Sequence, residues 1–473
     1  MASTVKLGSV VTIIIVFAAY VYKRNLDEQL RDHLLAISNS LLRAEQNYAV
    51  TPKVKVAVGF GACEDVFVDS LELLHTMSLQ PPVKEIHHDY INSSSELAEV
   101  FAFFFKHGAA AERFMSDENF FAKLVDVAKD LPDSRGALGG NAPVIANRLA
   151  IEGCEVLLGG TLSKRYMKEL NDGVQVAGDV FSEDDVHLIM EYKAGETWGK
   201  YSTPRANRFI VHSDESNPLL SSLEAFQTKL PGFNPQLLIV SGLQMMDNFP
   251  SAQRKERIAS LKKMLQNVPK TTKIHFELAS FSEEEMVGHL VESVIPYSDS
   301  IGMNEQELAN LYSLLMYGNI TLVSDAYPRI ATVLDHLRSI YNILHSITTE
   351  NGQRPITRIH THTLAYQVII TTRNQGWKNT MAAAAKASLT AFRHVSGSSE
   401  IDTNKAKLIM DDSFSISREE GSKRMPLNAD RPVSCWQEYD YDICLAPVLV
   451  ATQVRQTAGA GDNISSAGLA VQI

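Results

Sequence analysis

Cysteine is scarce: 4 residues in 473. That is too few to staple a domain of this size, so an apolar core must hold the chain together. Basic charge is also short, with 44 Lys and Arg against 55 Asp and Glu and a formal net charge of −11 at pH 7. A nucleic-acid binder would show the opposite balance on at least one face. No internal repeat and no low-complexity tract interrupts the chain, which excludes solenoid, collagen-like and extensively disordered classes. What remains is an ordinary globular composition, 45% apolar and 21% charged. The length suits one large domain with insertions, or two domains.

Long apolar runs are absent with one exception. "LGSVVTIIIVFAAYVY", Leu7 to Tyr22, has no charge and is followed by Lys23 and Arg24. Its length lies where a signal-peptide core and a short membrane span overlap, and Tyr20, Tyr22 and Lys23 crowd the place of a small-residue cleavage site. Residues 1–24 are therefore expected to be either a signal peptide or an uncleaved membrane anchor. Both address the chain to the endoplasmic reticulum lumen or membrane, or to secretion. Sequons at Asn92, Asn319 and Asn463 fit a lumenal chain. Cys63 and Cys154, in apolar strand-like surroundings, read as buried thiols. Cys435 and Cys444 flank "WQEYDYDI" and read equally well as a bridged loop or as two free thiols.

Residues 25–52 place Leu26, Leu30, Leu34, Leu41 and Leu42 at near-helical spacing, as in a stalk or packing helix. Short β-branched runs then recur at 54–61, 154–160, 235–242, 273–280, 357–363 and 446–452. Helix-like segments such as "SAQRKERIASLKKMLQNV" and "NEQELANLYSLLMY" lie between them. Strands alternating with helices predict an α/β domain over 53–473 with a mostly parallel sheet. Parts of 60–130 and 180–215 break the rhythm and are expected to form a smaller lid. Ligands of such sheets bind at the carboxyl ends of the strands, where "GG", "SG", "ELAS" and "GAGD" fall.

"TAGAGD" carries the sharpest chemistry. Gly459, Ala460 and Gly461 before a helix let backbone N–H groups converge on an anion, helped by the helix dipole. Asp462 behind them is placed to take a proton from an attacking hydroxyl, although a Gly-rich turn with an Asp cap has the same appearance. In "IHFELAS", His275 and Glu277 share one strand face. In "IGMNEQEL", Asn304 and Glu307 share one face of a helix start, which also reads as a capping box. Carboxylates from separate strand ends suit Mg2+, often through water. "GGNAPVIANRLA" sets Gly140 and Asn141 at a turn before a helix, and Asp65, Glu112 and His187 are candidate hydroxyl-binding groups. His360 and His362 in "RIHTHT" face one side of a strand, without the further ligands a zinc site needs.

This ordered set, "GGNAPVIANRLA", "HFELAS", "NEQEL", "RIHTHTLAY" and "TAGAGD", resembles the ADP-dependent glucokinases of the ribokinase-like superfamily. The resemblance runs from about Lys53 to the C-terminus, and "GAAAERFMSDENFF" with the N-terminal segment resembles the animal, endoplasmic-reticulum form. It implies a large α/β domain with a closing lid, and phosphoryl transfer from ADP to the 6-hydroxyl of D-glucose with Mg2+, giving AMP and glucose 6-phosphate. Asp462 would be the catalytic base and Gly459, Ala460 and Gly461 the anion hole. Glu277, Glu307 and Asp462 would serve the metal. Asp65, Glu112, Gly140, Asn141 and His187 would line the sugar pocket; Asn304, His360, Val450 and Ala451 would border the nucleotide. A monomer is expected. Two departures stand out: Gly61 replaces a usual Asn, and Arg455 precedes "QTAGAGD" one place early. An ADP-dependent phosphofructokinase, with Arg205 and Arg208 meeting a sugar phosphate, and a lumenal pseudokinase are the alternatives.

Overall fold

Strands buried on both faces read as unbroken apolar runs, and "QLLIV" is the plainest of them. Leu237–Val240 is buried throughout and lies inside a ten-stranded sheet. The computed structural model describes residues 2–473 apart from 49, 51, 52, 248, 282, 322–324, 326, 348 and 349, and no side chain of 2–11 or 13. Part of the segment expected to be a signal or anchor therefore lies outside the described residues. The sheet order is Val174–Ala177, Glu155–Gly159, Lys55–Gly59, Leu237–Val240, Lys273–Glu277, Ser300–Asn304, Arg358–His362, Tyr366–Thr372, Tyr441–Pro447 and Ser434–Glu438. Pairings are parallel as far as Arg358–His362 and antiparallel beyond it.

Period-2 alternation divides the strand residues between two helical layers. Val56, Val58, Leu237 and Ile239 pack with Ile145, Ala146 and Leu149 of Asn141–Ile151 and with Leu469 and Ala470 of Ala460–Gln472. Ala57, Leu238 and Val240 share the larger cluster with Phe226, Leu261 and Leu290. The run 446–452 is not one strand. It stops at Pro447, which has no N–H to extend a ladder, and Val450–Ala451 pairs instead with Ala406–Lys407. Cys435 and Cys444 stand opposite each other on adjacent strands and are disulfide-bonded, with Cα atoms 4.1 Å apart. Cys63 and Cys154 are free and buried.

A second, five-stranded sheet has the order Ala111–Phe114, Asn207–His212, Val186–Tyr192, Cys63–Asp69 and Arg135–Gly139. One face is covered by Ser70–Thr76, Ser94–His107 and Glu118–Asp130 around Phe101, Leu188 and Phe209. The opposite face turns Phe67, Ile189 and Ile210 toward Ala458, beside the glycine-rich loop of the large domain. The smaller unit thus reaches past 130 to include Arg135–Gly139, a short strand with two exposed residues that carries no apolar run to announce it.

Residues 25–46 are helical. They continue from the preceding segment in one helix, Ala2–Gln46, whose last turns bury Ile37 and Leu41 in the large core. Glu45 fastens that end to Lys386 and Arg393. Upstream, Ile14, Ile15, Val16, Phe17, Tyr20 and Tyr22 are exposed. Among the described residues no helix is long and apolar enough to cross a membrane.

Candidate active site

Between the two sheets, at the carboxyl ends of the parallel strands, lies a cavity of about 560 Å3. Gly459 has a left-handed φ of 70° and caps Ala460–Gln472. Ala460 N donates to Thr457 O at 3.4 Å and Asn463 N to Gly459 O at 3.1 Å, which leaves the N–H groups of Gly461 and Asp462, without a carbonyl inside the helix, to meet an anion. Asp462 lies in this turn, half-buried, and both its carboxylate oxygens accept from Asn141 Nδ2, at 3.1 and 3.3 Å. Burial, then the charge of Glu277, pushes Asp462 up to about 8 against the pull of the Asn141 bond.

Glu277 ends its strand with 4% of its surface exposed. Its Oε2 meets His275 Nε2 at 2.8 Å, its Oε1 accepts from Ser465 Oγ at 2.8 Å, and His362 Nε2 lies 3.8 Å from Oε1. Burial favours the neutral acid, but the bonds from His275 and His362 outweigh it and hold Glu277 at about 2. The carboxylate lies over Gly302 on the next strand, where a Cβ would fall 2.0 Å from Oε2. Glu307 completes a capping box: Asn304 N and Nδ2 each donate to it at 2.8 Å. Burial pushes it up to about 7, against the pull of His362 and the Asn304 N–H.

On the side of the small sheet the cavity wall carries Asp65, Glu112 and His187. Burial raises Asp65 to about 6, with the charge of His187 opposing. Gln244, in the turn after Leu237–Val240, joins this wall to Asn141, donating from Nε2 to Asn141 Oδ1 at 2.8 Å and to Glu112 Oε2 at 3.5 Å. At the far end Ala391, Ile409, Val448, Val450 and Ile464 form an apolar slot.

The pattern described as the ADP-specific phosphofructokinase/glucokinase conserved region matches residues 54–471. The chain belongs to this family. It is similar to an ADP-dependent glucokinase of Bos taurus, 35% identical over 88% of this chain and 84% of that one. It is also similar to an ADP-dependent glucose/glucosamine kinase of Pyrococcus furiosus, 24% identical over 88% and 93%. A solved ADP-dependent kinase in complex with fructose 6-phosphate and ADPβS shares the fold, with a TM-score of 0.65 and 19% identity over 94% of this chain and 97% of that one.

In this member of the ADP-specific family the cavity is lined by Asp65, Glu112, Gly140, Asn141, His187, Glu277, Asn304, Glu307, Val450, Ala451 and the loop Gly459–Asp462. His360 does not reach it. Its side chain is 0% exposed, under the Ala460–Gln472 helix, with Nε2 facing Gln367 Oε1 at 3.0 Å. The pair does share one strand face, but only His362, at the strand end, projects into the cavity. Gln244 belongs to the cavity wall although no motif names it; the "SG" before it, at a strand's carboxyl end, marks only its turn. Gly61, with φ 80°, would bring a Cβ within 3.0 Å of Met245. Its smallness therefore belongs to the local packing of the turn that carries Gln244. Arg455 is exposed, lies against Gly397 and is not on the cavity wall.

The residues fit a divalent cation held largely through water. Both oxygens of Glu277 and both of Glu307 already accept protein hydrogen bonds, leaving lone pairs for water rather than two bare carboxylates. Like-charged acids gathered from three elements, two of them with raised pKa, are the donor chemistry Mg2+ takes, commonly keeping several waters.

Proposed function

We propose that this protein is an ADP-dependent glucokinase, transferring the β-phosphoryl group of ADP to the 6-hydroxyl of D-glucose to give glucose 6-phosphate and AMP. The observation that carries the reading is the hydrogen-bonded unit Asp462–Asn141–Gln244–Glu112, which ties the candidate base to the sugar-side wall. As the hydroxyl oxygen bonds to phosphorus and the bridging oxygen leaves with AMP, Asp462 accepts the hydroxyl proton. Asn141 keeps the carboxylate aimed, donating to both of its oxygens. The N–H groups after Gly459 receive the transferring phosphoryl oxygens. Glu277, Glu307 and Asp462 would hold Mg2+, which supplies charge neutralisation along the phosphates. Ile189 and Ile210, on the small sheet's inner face, line the site and would exclude water once the lid closes over the substrates.

Glucose is favoured over fructose 6-phosphate as acceptor by the similarity to the bovine ADP-dependent glucokinase, and the Asp65 and Glu112 carboxylates on the sugar wall would repel a phosphate dianion. Arg205 is already engaged, donating to Gly108 O at 2.8 Å and facing Glu305 at 3.7 Å. ADP as the donor rests on the family and on the bovine relative. The test uses the 473-residue chain with Mg2+, offering ADP or ATP against glucose or fructose 6-phosphate. Glucose 6-phosphate should form with ADP, and Asp462→Asn should lower kcat by about 10²- to 10⁴-fold with nucleotide binding retained. A comparable rate in that variant removes the base assignment. Turnover of fructose 6-phosphate instead of glucose replaces the acceptor.

We also propose that the chain enters the secretory pathway and stays attached to a membrane through its first helix. The exposed apolar stretch from Ile14 to Tyr22 and the Cys435–Cys444 bond, which suits an oxidising lumen, support this. Retention in the membrane pellet after alkaline extraction is expected; full release refutes the attachment.

A further inference from the structure

Behind the sugar-side wall lies a cluster that no step above uses. His187 lines the cavity, but its Nε2 points away, to Asp214 Oδ1 and Oδ2 at 3.1 and 3.0 Å. The Asp214 side chain is 0% exposed and does not reach the cavity. Asn217 Nδ2 donates to Asp214 Oδ2 at 2.7 Å, and Asn217 Oδ1 accepts from the N–H of Ala62 at 3.0 Å, where the chain passes between the two sheets. The acid is thus braced from behind by backbone that belongs to neither wall.

His187 is surrounded on every packed side. Asp65 is its register partner on one neighbouring strand and His212 on the other, and their ladder fixes both. The His212 ring centroid is 4.9 Å from that of His187, its Nδ1 is 3.3 Å from Asp214 Oδ1, and its Nε2 is 3.9 Å from Glu112 Oε1. Glu112 Oε1 is 3.7 Å from His187 Nδ1 and is buried without a hydrogen bond. The Cys63 thiol, next to Asp65, is kept neutral by burial first and then by the nearby acids.

We propose that Asp214 is a positioning residue for the sugar: it holds the His187 ring by Nε2 so that Nδ1 presents a charged N–H to a sugar oxygen beside Glu112. The idea rests on the glucokinase reading of the cavity. With Nε2–H given to Asp214, a neutral ring would turn a bare Nδ1 toward Glu112, acceptor facing acceptor. An imidazolium turns a donor there instead, and a hydroxyl between the two can accept from the ring and donate to the carboxylate. The electrostatics agree. Burial opposes a charge on His187, but Asp214 outweighs it and raises the ring to about 10. Asp214 in turn is held far below the usual carboxylate range: burial opposes this, and His187 and His212 overcome it.

Asp214→Asn keeps the shape and removes the charge. His187 should then titrate near neutrality, so the glucose KM of this variant should rise about tenfold between pH 6 and pH 8.5, relative to wild type. Lowering the pH should rescue it, and the ADP KM should stay at the wild-type value. A glucose KM that follows the wild-type pH profile, or equal rises in both KM values, would overturn the proposal. Should the variant fail to fold, wild-type protein labelled with 15N-histidine decides, with the His187 signal assigned through His187→Gln. A doubly protonated ring at pH 8 is expected, and a neutral ring sinks the idea. Wild type that does not phosphorylate glucose would refute the glucokinase reading, while the ring signal would still report on Asp214.

Discussion

Replacing Gly302 by Ala tests the site through a single carbon atom. Gly302 pairs with Glu277 across parallel strands, and a Cβ at 302 would lie 2.0 Å from Glu277 Oε2 and 2.8 Å from its Cδ. Carbon needs about 3.5 Å from a non-bonded neighbour, so the carboxylate must move by roughly 1.5 Å. Moving it breaks the 2.8 Å contacts with His275 and Ser465 that set its direction. A displacement of about 1 Å at a catalytic group costs on the order of 100-fold in rate. Overpacking of this kind destabilises by about 1–3 kcal/mol. The assay is the initial rate of glucose 6-phosphate formation against Mg2+ concentration, beside a urea unfolding curve. A fall in kcat of about 100-fold and a higher half-saturating Mg2+ are expected, with glucose binding unchanged, since Asp65, Glu112 and His187 stand on the other sheet. Glu277→Gln should reproduce the rate loss without the overpacking. Full activity and unaltered Mg2+ dependence in Gly302→Ala would refute the claim that Glu277 must lie where it does.

Gln244→Ala removes the donor shared by Asn141 and Glu112; a glucose KM higher by about tenfold with an unchanged ADP KM is expected in steady-state kinetics. Cys435→Ser with Cys444→Ser opens a loop spanning a sequence separation of 9, and denaturant unfolding should show a loss of about 2.5 kcal/mol by loop-closure entropy. Burial opposes ionisation of Glu45, yet bonds from Arg393 and then Lys386 lower its pKa. Its contribution is therefore present above its unfolded value near 4.5 and is lost as the pH falls through the lower folded one. Arg393→Ala should be less stable at pH 7, and the gap from wild type should narrow as the pH is taken down to about 3.

The large sheet was legible because burial on both faces writes each parallel strand as a continuous apolar run, and because the runs end in small residues where the ligand side lies. Glu277 was legible as the last residue of such a run and Glu307 as the acid of the helix start that follows one, whereas Asp462 was legible from the small-residue turn before the last helix. The antiparallel strand Tyr366–Thr372, though entirely buried, went unread because it follows its partner after only Thr363–Ala365 and blurs into one stretch with "RIHTHT". Arg135–Gly139 went unread because an edge strand with exposed residues needs no apolar pattern.

Side-chain reach was the harder matter. His360 and His362 are indistinguishable by periodicity, and only the position of the strand end, about 7 Å of chain, decides which meets the cavity. Asp214 poses the opposite problem. It lies two residues past His212, the end of a small-sheet strand, in a stretch with no glycine turn and no apolar run after it. Its role depends on His187, 27 residues away in sequence, being brought opposite His212 by strand register. A motif records what one segment can do alone. The Asp214–His187–His212 cluster exists only after two strands have paired, so its chemistry belongs to the pairing, and a sequence pattern that names His187 cannot reach the acid that orients it.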